Sequence, residues 1–256
     1  MSTNAIAAGS MAQASPGPGA VKPIISAIIP CFEEENTIAA VVAAVLKEGV
    51  SEVIVADGGS RDRTIERAAA AGARVVIERE RGYGRAVQTG IAASRADAEI
   101  LLFLDGDGSD RAEFIPALIA PIAEGHVAFV HGSRLRGNRE SGSFSLQQIS
   151  AGRIAGLLLR LVYGVRFTDM SPFRAIRRDA FARLGMRETT YGWNLEMMMR
   201  VAAARLPSLE IAVGHKRRAG GISKVSGNFV AGIAAAWTIA ATFLRLALTL
   251  RRKRET

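Results

Sequence analysis

From residue 23 to about residue 130, short apolar runs alternate with helix-length amphipathic segments. The runs at 24–29, 53–56, 75–77, 100–104 and 127–130 are too short for helices and are bounded by polar or turn residues, so they are expected as buried strands. Between them, segments 36–47, 61–71, 85–94 and 111–123 carry the apolar spacing and alanine content of helices packed on a sheet. Strand and helix repeated in this order predict an α/β fold with a mostly parallel, Rossmann-like sheet flanked by helices. In such sheets ligands bind beyond the carboxyl ends of the strands. Polar residues follow the expected strands directly there: Glu33 to Glu35 after the first, Asp57 after the second, Asp105 and Asp107 after the fourth.

The second half of the chain reads differently. Segment 144–163 is largely apolar, and Arg153 and Arg160, seven residues apart, fall on one helical face, which predicts a basic amphipathic helix. Segment 229–250 is interrupted only by Arg245 and is followed by Arg251, Arg252, Lys253 and Arg254. It approaches the roughly 20 residues needed to cross a bilayer. Crossing would carry the basic cluster away from a cytosolic catalytic domain, against the positive-inside tendency. A helix lying on the cytoplasmic leaflet with its basic end on acidic lipid is the expectation, and a helix pairing two copies into a homo-oligomer is the alternative. The organisation expected is a tail at 1–22 and a catalytic domain at 23–225, followed by a membrane-associated helix and basic tail at 226–256. The catalytic domain divides into a nucleotide-sugar half at 23–135 and an acceptor half at 136–225. The tail is rich in Ala, Ser, Gly and Pro, has no positive charge before Lys22, and lacks a signal-peptide pattern.

Charge narrows the partner. A net charge of +9 implies an anion: a phosphorylated substrate, an acidic membrane surface or nucleic acid. Nucleic acid is not expected, because the basic residues near the C-terminus accompany aliphatic runs and not the exposed aromatics that stack bases. The single cysteine, Cys31, excludes a disulfide framework and suits a reducing compartment, and His126, His131 and His215 have no zinc-site spacing.

The sharpest motif is Asp105-Gly106-Asp107 at the end of an apolar strand. Two carboxylates across one glycine repel each other, a divalent cation relieves that repulsion, and oxygen-only ligands suit Mg²⁺ or Mn²⁺. Asp110 with Glu113 has the spacing of a helix capping box, which accounts for Asp110 but not for the other two acids. Asp57-Gly58-Gly59-Ser60 forms a strand-to-helix turn whose amides approach a ligand while a carboxylate accepts the imide NH of uracil or guanine. Gly82-Tyr83-Gly84-Arg85 is a glycine-rich helix entry suited to phosphate, without Walker or dinucleotide-binding spacing.

Taken in order, these motifs resemble the family 2 glycosyltransferases of the GT-A fold, and within them the dolichyl-phosphate and polyprenyl-phosphate sugar synthases. The resemblance runs from Ile24 to Gly227. It includes Pro30-Cys31-Phe32-Glu33-Glu34-Glu35 and the three motifs above. Further on come Gly132-Ser133-Arg134, the 168–174 segment around Asp169, Tyr191-Gly192-Trp193 with Glu196, and Arg218-Ala219-Gly220-Gly221-Ile222-Ser223-Lys224. It implies that Pro30, Phe32, Glu34 and Asp57 hold the nucleoside, that Gly82, Gly84 and Arg85 meet the donor phosphates, and that Asp105 and Asp107 hold the metal. Arg134, Arg153, Arg218, Ser223 and Lys224 would meet phosphates of donor or acceptor. Glu196 would orient the acceptor or act as a base, its alternative being an ion pair with a nearby arginine. The chain departs from the family pattern at Glu33 (usually Asn), Gly58 (usually a second Asp) and Ser109 (often Gln), and is one residue shorter after Asp169.

The resemblance also implies a function: inverting transfer of a sugar from a UDP- or GDP-sugar to a polyprenyl phosphate at the cytoplasmic membrane face. A phosphate monoester, with a second pKa of about 6, is already mostly dianionic at neutral pH and needs no strong base. The rivals are a soluble hydroxyl acceptor on the same fold and a non-catalytic, membrane-bound nucleotide-sugar scaffold.

Overall fold

The structure, a computed structural model, describes residues 22–144, 146–217 and 229–252. The expected N-terminal tail, the basic end after Arg252, and Arg218, Ser223 and Lys224 lie outside the described residues.

Five strands stand where the apolar runs predict them: β1 (Ile25–Cys31), β2 (Glu52–Asp57), β3 (Arg74–Ile77), β4 (Ile100–Phe103) and β5 (Phe129–Ser133). Helices α1 (Ile38–Lys47), α2 (Thr64–Ala70), α3 (Tyr83–Ala93) and α4 (Ile115–Ala123) fall between them, α4 preceded by a 3₁₀ turn at Ala112–Phe114. Two further strands, β6 (Arg174–Arg177) and β7 (Ser208–Ala212), were not anticipated. Helices α5 (Leu146–Tyr163), α6 (Arg178–Leu184), α7 (Trp193–Ala203) and α8 (Phe229–Arg252) complete the fold.

All seven strands form one sheet, ordered β3-β2-β1-β4-β6-β5-β7, so the two expected halves share a single sheet. β6 alone runs antiparallel to its neighbours β4 and β5. Side chains alternate between the faces, and both faces of the central strands are apolar because both are covered. Ile25, Ala27, Ile29, Val53, Val55 and Leu102 pack with α1 and α4 on one side. Ile28, Ile54, Leu101 and Phe103 pack with Trp193, Met197 and Met198 of α7 on the other.

This topology builds the site. Strand order reverses between β1 and β4, and the crevice beyond their carboxyl ends is the usual ligand position in an open α/β sheet. Because β6 is antiparallel, its beginning lies at the carboxyl end of β4, with Phe103 opposite Arg174. The loop before β6, with Asp169, therefore reaches the same crevice. β5 delivers Arg134 there as well, since His131 also pairs with Arg174.

Helix α5 occupies the expected amphipathic segment and α8 the C-terminal one; α8 packs on α7 and α5, burying Phe243 and Leu246. Among the described residues, no helix is long and apolar enough to cross a membrane.

Helix α3 sits close to the sheet at Gly90, where a Cβ would lie 2.6 Å from Ile28 Cγ2 and 3.3 Å from the Ala56 methyl. Gly90→Val is expected to destabilise the protein by about 1–3 kcal/mol through overpacking, read as a lower urea midpoint at unchanged m-value.

Candidate active site

A cavity of about 470 Å³ opens at the switch point. Its floor is Asp105, Gly106 and Asp107 after β4, and Pro30, Phe32, Glu34, Gly58 and Gly82 from neighbouring loops form one wall. The opposite side carries Arg134, Met170, Pro172, Tyr191, Asn194 and His215.

Local bonds fix the acidic turn. Thr37 donates its hydroxyl to the Gly106 carbonyl at 2.8 Å, tying α1 to the turn. A side chain at Gly106 would meet Cys31 Sγ at 3.0 Å, so β1 and this turn approach at the limit a glycine permits. Asp107 Oδ1 accepts the Ser109 amide at 2.9 Å and the Ser109 hydroxyl at 2.6 Å. Asp110 does not cap a helix. Its carboxylate turns inward, Oδ2 accepting the Asp105 amide at 3.0 Å, while Glu113 pairs with Arg111. The turn needs an acceptor for that amide more than the 3₁₀ segment needs a cap.

Behind the acids lies a buried charge network. Arg134 forms a two-pronged pair with Asp169, Nε to Oδ2 at 2.8 Å and Nη2 to Oδ1 at 3.0 Å, and its own amide also reaches Oδ2 at 3.0 Å. Burial works against ionising Asp169, but Arg134 outweighs it and holds the carboxyl at about 2. Asp110 goes the other way: burial and the charge of Asp107 push it to about 6 against the pull of Arg134. Arg174, fully buried, donates to the Asn194 and Ser171 carbonyls. His131 Nε2 lies 2.8 Å from the Asp169 carbonyl, and burial, with Arg174 adding to it, lowers the imidazole to about 3. It is therefore neutral, with Nε2–H donating.

The structure brings together Pro30, Phe32, Glu34, Gly82, Asp105, Asp107 and Arg134 of the residues singled out in the sequence. Others it places elsewhere. Asp57 is buried beneath its own turn, Oδ1 accepting the amides of Gly59 and Ser60 and Oδ2 the Ser60 hydroxyl, so Gly58 and not Asp57 forms the wall. Gly84 packs against the Glu188 carbonyl, and Arg85 pairs with Glu80 at 2.9 Å. Glu196 takes the second of its two expected roles: it is fully buried, does not line the cavity and pairs with Arg200. Its oxygens accept the Arg187 and Glu188 amides and the Arg200 guanidinium at 2.8 Å, so it anchors a loop. Arg153 is exposed on α5, away from the cavity wall.

The sequence reading gave no role to Tyr191, Asn194 or His215 on the wall, nor to Arg174 beneath it. His215 arrives through the strand pairing of β5 with β7, which carries it next to Asp110, 4.0 Å from Nδ1 to Oδ1. Nothing in local spacing announces that.

Among the described residues, no three or more His, Cys, Asp or Glu side chains are grouped as a self-sufficient metal site. Two cavity-facing carboxylates suit a hard cation that takes its remaining ligands from substrate phosphate and water, as Mg²⁺ and Mn²⁺ do.

Two outcomes follow. Asp169→Asn strands the Arg134 charge in a site where its side chain is 15 % exposed, and is expected to cost about 3–5 kcal/mol in urea unfolding. His131 must unfold to gain a proton, so it contributes stability above its unfolded value of 6.5 that is lost as pH falls toward about 3. Stability measured between pH 7 and 4 is expected to fall less steeply in His131→Gln than in the wild type.

Comparison with known proteins agrees with this geometry. An uncharacterized glycosyltransferase of Mycobacterium bovis is 33% identical over 215 residues, 82% of this chain and 94% of that one. A dolichyl-phosphate hexose transferase of Haloferax volcanii is 29% identical over 201 residues, covering 77% and 84%. Among solved structures, glucosyl-3-phosphoglycerate synthase from Mycobacterium tuberculosis, in complex with Mn²⁺, UDP-glucose and phosphoglyceric acid, superimposes with a TM-score of 0.71. The identity is 25%, over 88% of this chain and 80% of that one. The sequence profile of glycosyl transferase family 2 matches residues 26–185, across the acidic turn, Arg134 and Asp169. With that match spanning more than half of its length, and with the α/β sheet of the GT-A fold, the chain belongs to glycosyl transferase family 2.

Proposed function

We propose that this glycosyltransferase moves a sugar, with inversion, from a UDP- or GDP-sugar to a polyprenyl phosphate at the cytoplasmic face of a membrane. The observation that carries the lipid acceptor is the pair of helices α5 and α8. Ile154, Leu157 and Leu161 on the first, and Trp237, Leu244 and Leu248 on the second, are each more than half exposed. Arg153 and Arg160 flank the α5 stripe. Apolar residues spaced along two adjacent helices and edged by arginines suit the interface of an anionic leaflet.

The chemistry follows from the walls. The nucleoside rests on Phe32 and Gly58, and the diphosphate extends over Asp105 and Asp107 beside Gly82 and Tyr83. Bound there, Mg²⁺ or Mn²⁺ on Asp105 and Asp107 supplies charge neutralisation for the departing diphosphate. An acceptor phosphate oxygen attacks the anomeric carbon from the side of Arg134 while the bond to the diphosphate breaks. The wall bearing Arg134, Met170, Pro172 and Asn194 contains no carboxylate among the described residues, as suits an acceptor that arrives already ionised. Arg134, held rigid by Asp169, offsets repulsion between the two phosphates and leaves neither group to reorganise during the step.

A soluble phosphorylated acceptor is the second reading, favoured by the phosphoglyceric acid in the similar solved structure. Labelled UDP-glucose or GDP-mannose, Mn²⁺ and both acceptors, polyprenyl phosphate and 3-phosphoglycerate, decide between them. Label is expected in the organic extract, with Asp107→Ala lowering the rate by about 10²–10³. Label confined to phosphoglycerate overturns the lipid reading, and no turnover with any donor favours a scaffold.

A further inference from the structure

The Gly82–Gly84 turn, which borders the cavity at Gly82 and Tyr83, is held from outside the sheet. At Gly82 and Gly84 a Cβ would collide with the carbonyl oxygens of Thr189 and Glu188. The Arg85 amide donates to the Thr189 carbonyl at 3.1 Å, and Gln88 Nε2 donates to the Glu188 carbonyl at 3.0 Å. Two residues on, Tyr191 stacks on Tyr83 with ring centroids 6.1 Å apart, and both rings line the cavity. The Tyr83 hydroxyl donates to Asp105 Oδ1 at 3.4 Å. Whatever sets segment 187–192 therefore sets the glycine turn and one wall of the cavity.

Two elements set it. From α7, Glu196 takes the amides of Arg187 and Glu188. From α8, Arg245 Nη2 donates to Glu188 Oε2, and Thr242 packs on Gly192, where a Cβ would lie 3.0 Å from Thr242 Cγ2. Glu188 is buried, and its other oxygen accepts the Thr190 amide at 3.2 Å and hydroxyl at 2.8 Å. Burial alone would favour the neutral acid, but Thr190 and Arg245 keep the carboxyl below its ordinary value. Phe243 and Leu246 on the same turns of α8 are buried in the core, so the helix is a rigid support for this contact.

We propose that Arg245 is a positioning residue for the donor site, acting through Glu188 to hold the Gly82–Gly84 turn and Tyr191 in place. The proposal rests on the reading of the cavity as the donor site, and it gives α8 a part beyond its exposed apolar face. Because coupling between sites is reciprocal, whatever engages that face and reorients α8 changes donor affinity, and bound donor stiffens the seat of α8. The C-terminal helix thereby links the acceptor surface to the donor turn.

The test compares Arg245→Gln and Arg245→Lys with Arg183→Gln. Arg183 pairs with Asp179 at 3.1 Å within α6, both side chains exposed, so its removal makes the same chemical change without touching the Glu188 contact. UDP and GDP binding with Mn²⁺ is measured by calorimetry, with donor KM, kcat and thermal midpoint alongside. Arg245→Gln is expected to weaken nucleotide binding and raise donor KM about threefold to tenfold while kcat changes less than about twofold. Arg245→Lys restores most of the affinity, and Arg183→Gln leaves it unchanged. A lowered thermal midpoint in Arg245→Gln with wild-type nucleotide affinity makes the residue merely structural and overturns the proposal. Wild-type protein that binds neither nucleotide overturns the reading of the cavity itself, and the proposal with it.

Discussion

The site depends on holding several carboxylates together where little water reaches them. Asp105, Asp107, Asp110 and Asp169 converge at the carboxyl end of β4, against Arg134 and the buried Arg174. Each acid is managed differently. Asp169 is neutralised by a two-pronged arginine, Asp110 is pushed toward protonation while serving a backbone amide, and Asp107 is oriented by Ser109. What remains is a cavity-lining pair of carboxylates, to which a divalent cation arriving with a diphosphate is the natural complement. The acidic turn is held in a stiff frame. The close fits at Gly106 and Gly90 and the single antiparallel strand β6 supply that stiffness.

The same frame separates the work of the two halves of the sheet. The β1-β2-β3 side, with α3, contributes Phe32, Gly58, Gly82 and Tyr83 to the cavity, the surface assigned to the donor in the proposed function. The β6-β5-β7 side contributes Arg134 and, through the β5–β7 pairing, His215. Helix α8 packs on α7 and α5 and reaches segment 187–192 through Arg245 and Thr242. Under the proposed function a sugar passes from the acidic floor toward helices that carry exposed apolar residues.

Most of the first half was legible in the sequence, because β1, β2 and β4 are continuous apolar runs bounded by turns and have no alternative as helices. β6 and β7 were not legible. Arg-Ala-Ile-Arg and Ser-Leu-Glu-Ile-Ala are short and interrupted by charge, and their strand character comes from the neighbours they pair with. The acidic turn and Arg134 were legible as chemistry. Which way Asp57 and Glu196 face was not legible: Asp57 accepts three bonds from its own turn, and Glu196 takes the arginine pair expected as its alternative role together with the amides of Arg187 and Glu188. The helices α5 and α8 were legible as helices, while the contact of Arg245 with Glu188 spans 57 residues and has no local signal.

The central claim, that Asp105 and Asp107 form a half-site completed by the donor's diphosphate, is tested most directly by Mn²⁺ binding followed by paramagnetic resonance, with and without UDP or GDP. Binding to the protein alone is expected to be weak, at least about tenfold tighter when the diphosphate is present, and without that gain in Asp107→Asn. Tight Mn²⁺ binding that neither nucleotide nor Asp107→Asn alters would contradict it.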